Sequence, residues 1–245
     1  MPERTPQTRR RRSGILLAAA FAIGLPLPAP LAAGARETVV DQSQVGLVIH
    51  GSIGQEPARA LKIAAVRDDP DSDGLLYVIT DPDGQNPLCG MAADGKPVEA
   101  LPLAGTWNPR MDWSPEGLTF ACTNGVLAKC IRWGYAPWAR RPGVDMRALY
   151  QTCLRMARAD YCGDGVPHTE EGTPINLWDI AGIQNPDKID GMTFEAAWGP
   201  NGAVAIARTR WPQDLAYVQT HCPDRLQVND ARSEGALLYN DSFPR

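Results

Sequence analysis

The stretch VDMRALYQTCLRMARADYCG, residues 144–163, decides the fold because it is the clearest helix in the sequence. Asp145 is a favourable N-terminal cap, and Gly163 ends the pattern. One apolar stripe runs along the helix: Met146, Leu149, Tyr150, Cys153, Met156 and Ala157. Three arginines are predicted to stay outside it: Arg147, Arg155 and Arg158. The pattern places Cys153 in the core and Cys162 at or just beyond the helix end.

Short runs rich in branched residues precede the helix and predict an antiparallel sheet. They are VGLVIHG (45–51), ALKIAAV (60–66) and LLYVIT (75–80), each bounded by Gly, Asp or Pro. Residues 88–119 are rich in proline and are predicted to be irregular. The fold class is therefore α+β, with small antiparallel sheet elements, a few helices and long loops.

The segment 119–138 fits two local structures. Asn124-Gly125 could form a hairpin turn between short strands. Alternatively, Thr123 or Asn124 caps a helix that runs to Trp133 and stops at Gly134. We favour the helix, because apolar residues recur there at helical spacing. Further along, 203–211 is predicted to be a strand and 214–222 a short helix.

The first 35 residues have the three parts of a secretory signal peptide. A basic run, residues 9–12, precedes an apolar stretch from Ile15 to about Leu25, and Ala33 and Ala35 give the A-x-A spacing for cleavage after Ala35. The apolar stretch is shorter than the roughly 20 residues that a membrane-spanning helix needs. We therefore expect an exported protein, periplasmic or extracellular, without a transmembrane segment after cleavage; the choice between the general and the twin-arginine route stays open.

The expected mature chain is acidic. The leader holds five arginines and one glutamate, so its removal changes the formal charge from −4 to −8. An acidic chain disfavours nucleic acid as a partner, because that binding needs a basic surface. Residues 36–45 are expected to form a flexible mature N-terminus, 46–228 a single domain and 229–245 a polar, loosely held tail.

All six cysteines lie in the expected mature chain. An even number in an exported protein predicts disulfides, and six cysteines allow 15 full pairings, among which the sequence does not choose. No C-x-x-C is present, which makes a zinc site the weaker interpretation. The predicted disulfide residues are Cys89, Cys122, Cys130, Cys153, Cys162 and Cys222.

Several long motifs resemble one family. FACTNGVLAKCIRWGYAPW (120–138) and RMARADYCGDGVPHTEEGTPINLWD (155–179), with NPLCG (86–90) and TRWP (209–212), are similar to the bacterial ADYC-domain proteins, named after Ala159-Asp160-Tyr161-Cys162. The resemblance runs from about Gly46 to about Leu226. It implies no reaction, ligand or catalytic residue, because none is established for this family.

One loop holds the candidate catalytic chemistry. Asp160, Asp164 and His168, with Glu170 and Glu171 nearby, could form an acid/base or metal site, although their spacing fits no named one. Cys162 could also be a nucleophile with His168 as its base. That hypothesis is weak, because the helix C-terminus and the flanking aspartates oppose a thiolate.

A second, weaker metal site is suggested by Asp69, Asp71 and Asp73, which match the opening of a calcium loop. The match fails at its twelfth position, where Thr80 stands instead of the bidentate glutamate. A polar turn explains these residues more simply. No cofactor is expected.

The seven tryptophans could fill a loop-rich core or offer a flat surface to a ligand. Most are expected in the core. Trp133, Tyr135 and Trp138 are close enough in sequence to form one exposed patch, which is the predicted ligand surface.

The sequence leaves two hypotheses about function. The first is an exported, disulfide-stabilised binding or structural module of the cell envelope or exterior, with an envelope glycan or a protein as its partner. The alternative is an envelope hydrolase that uses the loop from Asp160 to Glu171. A hydrolase requires a cleft where Asp164 and His168 converge with a perturbed acid; whether the chain is an enzyme stays open, and the sequence leans against it.

Overall fold

The computed structural model describes residues 42–54, 56–72, 74–227 and 234–245. The leader and the cleavage site predicted after Ala35 lie outside the described residues. Within the described ranges, no helix is long and apolar enough to cross a membrane. Residues 42–45, assigned to a flexible N-terminus, include a 3₁₀ turn, Gln42–Gln44, whose Gln44 accepts a hydrogen bond of 2.9 Å from the Tyr77 hydroxyl.

The N-terminal half forms a five-stranded antiparallel meander. Its strands are β1 (Val48–Gly51), β2 (Arg59–Asp68), β3 (Leu75–Thr80), β4 (Ala100–Trp107) and β5 (Trp113–Cys122), in that spatial order. The structure confirms the three predicted strands as β1, β2 and β3 of this sheet.

Strand β4 and most of strand β5 lie in the stretch 88–119, which the sequence predicted to be irregular. The prolines misled that prediction, since proline cannot donate to a ladder. Pro102 lies beyond Ala100, the residue at which β4 pairs with β3, so its missing N–H costs little. Gly105 forms a bulge with φ of +96°, where a Cβ would overlap Trp113. The bulge and the prolines hide the alternation that identifies a strand.

The central helix agrees with its prediction except at one side chain. Helix α2 spans Met146–Arg158, and the Asp145 carboxylate accepts hydrogen bonds of 3.0 Å from the backbone N–H groups of Arg147 and Ala148. Five of the six residues of its apolar stripe are buried and Ala157 is half-buried, but Arg155 is only 1% exposed. The prediction that Arg155 stays outside is wrong, because the contacts that bury it come from distant loops.

Two shorter helices flank α2. Helix α1 spans Val126–Arg132, which confirms the helical interpretation of that segment, although its N-cap is Gly125 and makes no side-chain bond. Helix α3 spans Leu215–His221 and follows a 3₁₀ turn, Pro212–Asp214. A further 3₁₀ turn, Pro223–Arg225, comes after it.

The C-terminal half forms a four-stranded antiparallel sheet. Its strands are β6 (Ile175–Asp179), β7 (Thr193–Gly199), β8 (Gly202–Ile206) and β9 (Leu238–Ser242), in the order β6-β9-β7-β8. Strand β8 ends five residues earlier than the strand predicted over 203–211.

Strand β9 differs from the expectation of a loosely held tail. It lies between β6 and β7, and Leu238, Asn240 and Ser242 are buried. Its polar residues suggested a tail, yet two of them have buried partners. Asn240 accepts a hydrogen bond of 2.7 Å from the Trp198 indole, and the Ser242 hydroxyl donates to Glu195. Burial of a polar strand is tolerated when its groups are paired.

The largest core lies between α2 and the second sheet. Buried side chains from α1, α3, β7, β8 and β9 join those of α2 in one cluster; its large members include Leu149, Leu154, Met156, Trp198, Ile206 and Leu238. The first sheet packs Leu76, Leu101, Leu103 and Ala121 against α1. Helix α1 thus contributes to both cores.

All six cysteines are paired, which confirms the predicted disulfides. Cys89 pairs with Cys122, Cys130 with Cys153 and Cys162 with Cys222. The second bond joins α1 to α2, and the third joins the end of α2 to the end of α3. Loops of this size correspond to about 3–4 kcal/mol each in the chain-entropy account of disulfides.

Candidate functional site

The segment that follows α2 begins with a residue in the left-handed conformation. Ala159 has φ of 50° and ψ of 41° and is fully buried. The conformation reverses the chain, so that the Asp160 N–H donates to the Arg155 carbonyl at 2.9 Å. Four residues on, Gly163 approaches the β7–β8 turn so closely that a Cβ would collide with the Asn201 carbonyl. At Gly163 the backbone therefore passes through a space that has no room for a side chain.

The positive φ and the full burial of Ala159 predict different effects on stability for two substitutions. Ala159→Gly is expected to change the free energy of unfolding by less than about 1 kcal/mol, because relief of the positive φ offsets the extra freedom of the unfolded chain. Ala159→Val should cost about 1–3 kcal/mol, since a branched side chain is disfavoured at this φ and overfills the site. Urea unfolding of both variants tests this; an equal loss in both would contradict the account.

Asp160 is used in a buried ion pair. Its Oδ2 accepts hydrogen bonds from Arg155 Nη1 at 2.6 Å and from the Gly165 N–H at 3.0 Å. Arg155 also contacts Asp112 Oδ1 at 2.7 Å and the Pro200 carbonyl at 3.1 Å. The pair therefore joins α2 to the β4–β5 connection and to the β7–β8 turn. Asp160 Oδ1 is buried without a hydrogen-bond partner among the described residues.

Tyr161 lies at the centre of a second buried polar group. Its ring stacks on Trp198 with centroids 5.3 Å apart, and its hydroxyl donates to Glu195 Oε1 at 3.0 Å while accepting from the Arg210 N–H at 2.6 Å. Arg210 forms two bonds to Glu195, of 3.1 and 3.0 Å. Burial, together with the nearby Glu195 charge, raises the pKa of Tyr161 well above its ordinary value. The phenol therefore stays neutral and serves as a fixed hydrogen-bonding group.

Cys162 forms the disulfide with Cys222, the residue that follows α3. A cysteine in a disulfide has no thiolate, so the hypothesis of a Cys162 nucleophile is wrong for this state of the chain. The bond holds α3 against the loop that follows α2.

The structure brings Asp164 and His168 together around a residue that the sequence did not indicate. Tyr217, on α3, donates its hydroxyl to Asp164 Oδ2 at 2.7 Å, and the ring of His168 lies 4.6 Å from the Tyr217 ring. His168 Nδ1 lies 3.1 Å from Asp214 Oδ1. Its Nε2 is buried without a partner among the described residues. Glu170 and Glu171 are exposed at the next turn.

The electrostatics of this group do not suit a general acid. Burial by itself would raise the pKa of Asp164, but the hydrogen bonds from the Tyr217 hydroxyl and the Val166 N–H lower it. A catalytic acid at neutral pH needs a raised pKa. His168 is 7% exposed, so a substrate cannot reach its ring in this conformation.

The Asp164–Tyr217 hydrogen bond predicts a pH window for stability. The pKa of Asp164 is lowered in the folded protein. The contribution of this carboxylate to the free energy of unfolding is therefore present above the ordinary pKa of an aspartate and lost as the pH falls. The same bond raises the pKa of Tyr217 to about 12, so that contribution is present below its ordinary pKa and lost as the pH rises towards 12.

Melting temperatures from pH 3 to 11 test this window. The difference between wild type and Tyr217→Phe is expected to be largest near neutral pH and to shrink at both ends. Tyr239→Phe, which keeps its ring stacked on Trp178, is the control and should show a flat difference. A Tyr217→Phe difference that does not change with pH would contradict the assignment.

The aspartates of the suggested calcium loop contact an arginine. Asp69 is buried, accepts from the Asp71 N–H and the Ser72 hydroxyl, and lies 3.2 Å from Arg132 Nη2. Arg132 also pairs with Asp71. The Arg132 guanidinium thus stands where a cation was suggested, and Asp73 lies outside the described residues. Within those residues no group of three His, Cys, Asp or Glu side chains could hold a metal ion.

The predicted aromatic patch does not form as one surface. Tyr135 is fully buried, and its hydroxyl donates to Asp179 Oδ2 at 2.8 Å. Burial first, and the Asp179 carboxylate second, raise the pKa of Tyr135. Trp133 packs against the main core, whereas Trp138 is 61% exposed. The other six tryptophans are buried or half-buried. Three of the seven, Trp107, Trp133 and Trp198, belong to or pack against the main core, fewer than the majority that was expected.

Comparison with known families agrees with this geometry. The model of the ADYC domain matches residues 41–212. The chain belongs to the ADYC-domain family. No curated protein and no solved structure gives a significant match to the chain.

Each residue of the motif that names the ADYC domain has a structural contact in this chain. Ala159 reverses the backbone, Asp160 pairs with Arg155, Tyr161 bonds to Glu195, and Cys162 bonds to Cys222. Together they fix the end of α2 to the second sheet and to α3. The sequence showed the motif but not these partners, which lie 5, 34 and 60 residues away.

Proposed function

We propose that this ADYC-domain protein is an exported, disulfide-stabilised module that binds or builds part of the cell envelope or exterior. One observation carries the proposal: the candidate catalytic residues of the loop after α2 are used in contacts within the protein. Cys162 is in a disulfide, Asp160 is in a buried ion pair and His168 is buried. These residues stabilise the fold instead of facing a substrate.

Three disulfides support the exported location. Disulfides persist in oxidising compartments and are rare where thiols are kept reduced. The basic run, the short apolar stretch and the A-x-A spacing of the first 35 residues support the same proposal from the sequence.

The exposure of Trp138 supports a binding role over a purely structural one. A large aromatic side chain that is 61% exposed leaves apolar area in contact with water, whereas the other tryptophans are buried or half-buried. Tryptophan is enriched among residues that dominate binding energy. The module therefore offers at least one side chain of the kind that interfaces use.

Fractionation of cells that express the full chain tests the location, and co-sedimentation with isolated envelopes tests the role. We expect the protein outside the cytoplasm, shortened by its leader, and in the envelope pellet. Trp138→Ala should reduce the pelleted fraction, whereas Leu118→Ala, a substitution of another exposed apolar residue on β5, should not. A full-length protein that stays in the cytoplasm would contradict the proposal.

The hydrolase alternative has a separate test. If Asp164 and His168 were catalytic, His168→Ala would abolish turnover of an envelope substrate in a protein that still folds. The module proposal predicts that His168→Ala changes stability and leaves envelope binding nearly intact. Loss of a measurable turnover in that variant would favour the hydrolase.

A further inference from the structure

The segment that displays Trp138 is rigidly held against a neighbouring loop. Gln184 Nε2 donates to the Trp133 carbonyl at 2.8 Å, and Tyr135 is anchored to Asp179 at 2.8 Å. A tight turn follows, closed by the Ala139 N–H on the Ala136 carbonyl at 3.0 Å. These bonds hold the backbone on both sides of Trp138, so a ligand has less backbone freedom to remove on binding, which favours affinity.

Two arginines stand directly beyond the exposed indole. Arg140 and Arg141 are both exposed, and neither forms an ion pair within the described part of the chain. Arg141 Nη1 reaches across to the Ala181 carbonyl at 3.4 Å, next to Ile180, which is 61% exposed. We call Trp138, Arg140, Arg141 and Ile180 the Trp138 surface.

The carboxylate of Asp179, the residue before Ile180, is already used. Asp179 accepts the Tyr135 hydroxyl and three backbone N–H groups, those of Ala181, Ile183 and Gln184. Its charge therefore stabilises the loop and is not paired with either arginine. The Trp138 surface is locally cationic on a chain whose formal charge is −4.

The shape of the surface distinguishes between anionic ligands. Trp138 is 61% exposed, so its indole lies open to solvent and is not enclosed by neighbouring side chains. Peptides are usually recognised in a groove or along a strand edge. An open indole instead offers a flat apolar face, on which the C–H face of a sugar ring can stack, and arginine forks pair with carboxylates.

We propose that the Trp138 surface binds an acidic polysaccharide, with a sugar ring on the indole and uronate-type carboxylates on Arg140 and Arg141. This inference rests on the proposed function, because it names the ligand class of the binding module. Coulomb attraction of exposed charges is screened by salt, so binding should weaken as the salt concentration rises.

Affinity electrophoresis of the exported protein through gels that contain polygalacturonate tests the inference. We expect retardation by polygalacturonate and none by neutral dextran. Trp138→Ala and the double variant Arg140→Ala/Arg141→Ala should each weaken binding at least tenfold, and the double variant should also flatten the salt dependence. Leu118→Ala and Arg59→Ala, an exposed apolar residue and an exposed arginine on the first sheet, are the matched controls and should bind within twofold of wild type.

Three outcomes would overturn the inference. They are no retardation by polygalacturonate at low salt, retardation that Trp138→Ala leaves unchanged, and equal retardation by poly-glutamate that depends on the arginines alone. If the protein is exported and its cysteines are paired, any of these results contradicts the acidic polysaccharide as the ligand but not the proposal of an exported module. A cytoplasmic protein with reduced cysteines would instead contradict the module itself.

Discussion

Replacing Glu195 with glutamine is expected to lower the free energy of unfolding by about 3–5 kcal/mol. The carboxylate is fully buried and forms two bonds to Arg210, which is itself buried. Glutamine keeps the size but removes the charge, so Arg210 remains buried without the carboxylate that pairs with it. Urea unfolding of the purified protein measures the loss.

The matched control is Glu171→Gln, which makes the same chemical change at an exposed position of the loop after α2. Its effect should stay within about 0.5 kcal/mol. Removing both charges, as in Glu195→Gln with Arg210→Met, should cost less than the sum of the single substitutions because the pair is coupled. Additive losses, or a loss below about 1 kcal/mol for Glu195→Gln, would contradict the buried pair.

Removing the disulfide between Cys162 and Cys222, by serine at both positions, is expected to cost about 4 kcal/mol. The cysteines are separated by 60 residues, the largest separation of the three bonds, so the loss of chain constraint is greatest here. The bond also holds α3 against the loop that carries Asp164 and His168. Thermal and urea unfolding under non-reducing conditions measure the effect.

The comparison variant lacks the bond between Cys130 and Cys153, whose separation is 23 residues. Chain entropy alone predicts about 1 kcal/mol less stabilisation for that bond. A second readout is specific to the end of α2: the Asp164–Tyr217 pH window should disappear only in the variant without the Cys162–Cys222 bond. Persistence of that window would mean that α3 docks without the disulfide.

The residues of the ADYC motif therefore form a fixed connection between α2, the second sheet and α3. A buried ion pair contributes modest net stability, because desolvation opposes its Coulomb attraction, but loss of one partner is costly. Arg155 with Asp160 and Arg210 with Glu195 make such pairs on either side of Tyr161. We infer that they specify how α2 meets the second sheet, since misaligned arrangements would leave charges buried and unpaired.

Local periodicity was enough to predict the elements whose burial follows a regular pattern. The stripe on α2, the Asp145 cap and the branched runs of β1 to β3 each fall into that class. An even number of cysteines behind an apparent leader predicted disulfides without their pairing. The α+β class followed from these features alone.

The remaining features depend on contacts between distant residues. The buried position of Arg155 depends on Asp112 and Pro200, and the burial of β9 depends on Trp198 and Glu195. The arrangement of the candidate site could not be predicted for the same reason. Tyr217, which contacts both Asp164 and His168, lies 49 or more residues away from them along the chain. Tyr135 is bonded to Asp179, in a loop 44 residues further on. Spacing along the chain contains no signal for such pairings.

The most direct test of the account is the thiol content and disulfide map of the protein purified from cells that express the full chain. Intact mass after alkylation under denaturing conditions, with and without reduction, counts free thiols and locates the mature N-terminus. Peptide mapping then identifies the partner of Cys162. The account predicts no free thiol, a mature chain that begins at Arg36, and a peptide that joins Cys162 to Cys222. A free thiol at Cys162, or a different partner for it, would contradict the claim that the ADYC motif fixes the end of α2 to its neighbours. The loop from Cys162 to His168 would then again be a candidate catalytic site.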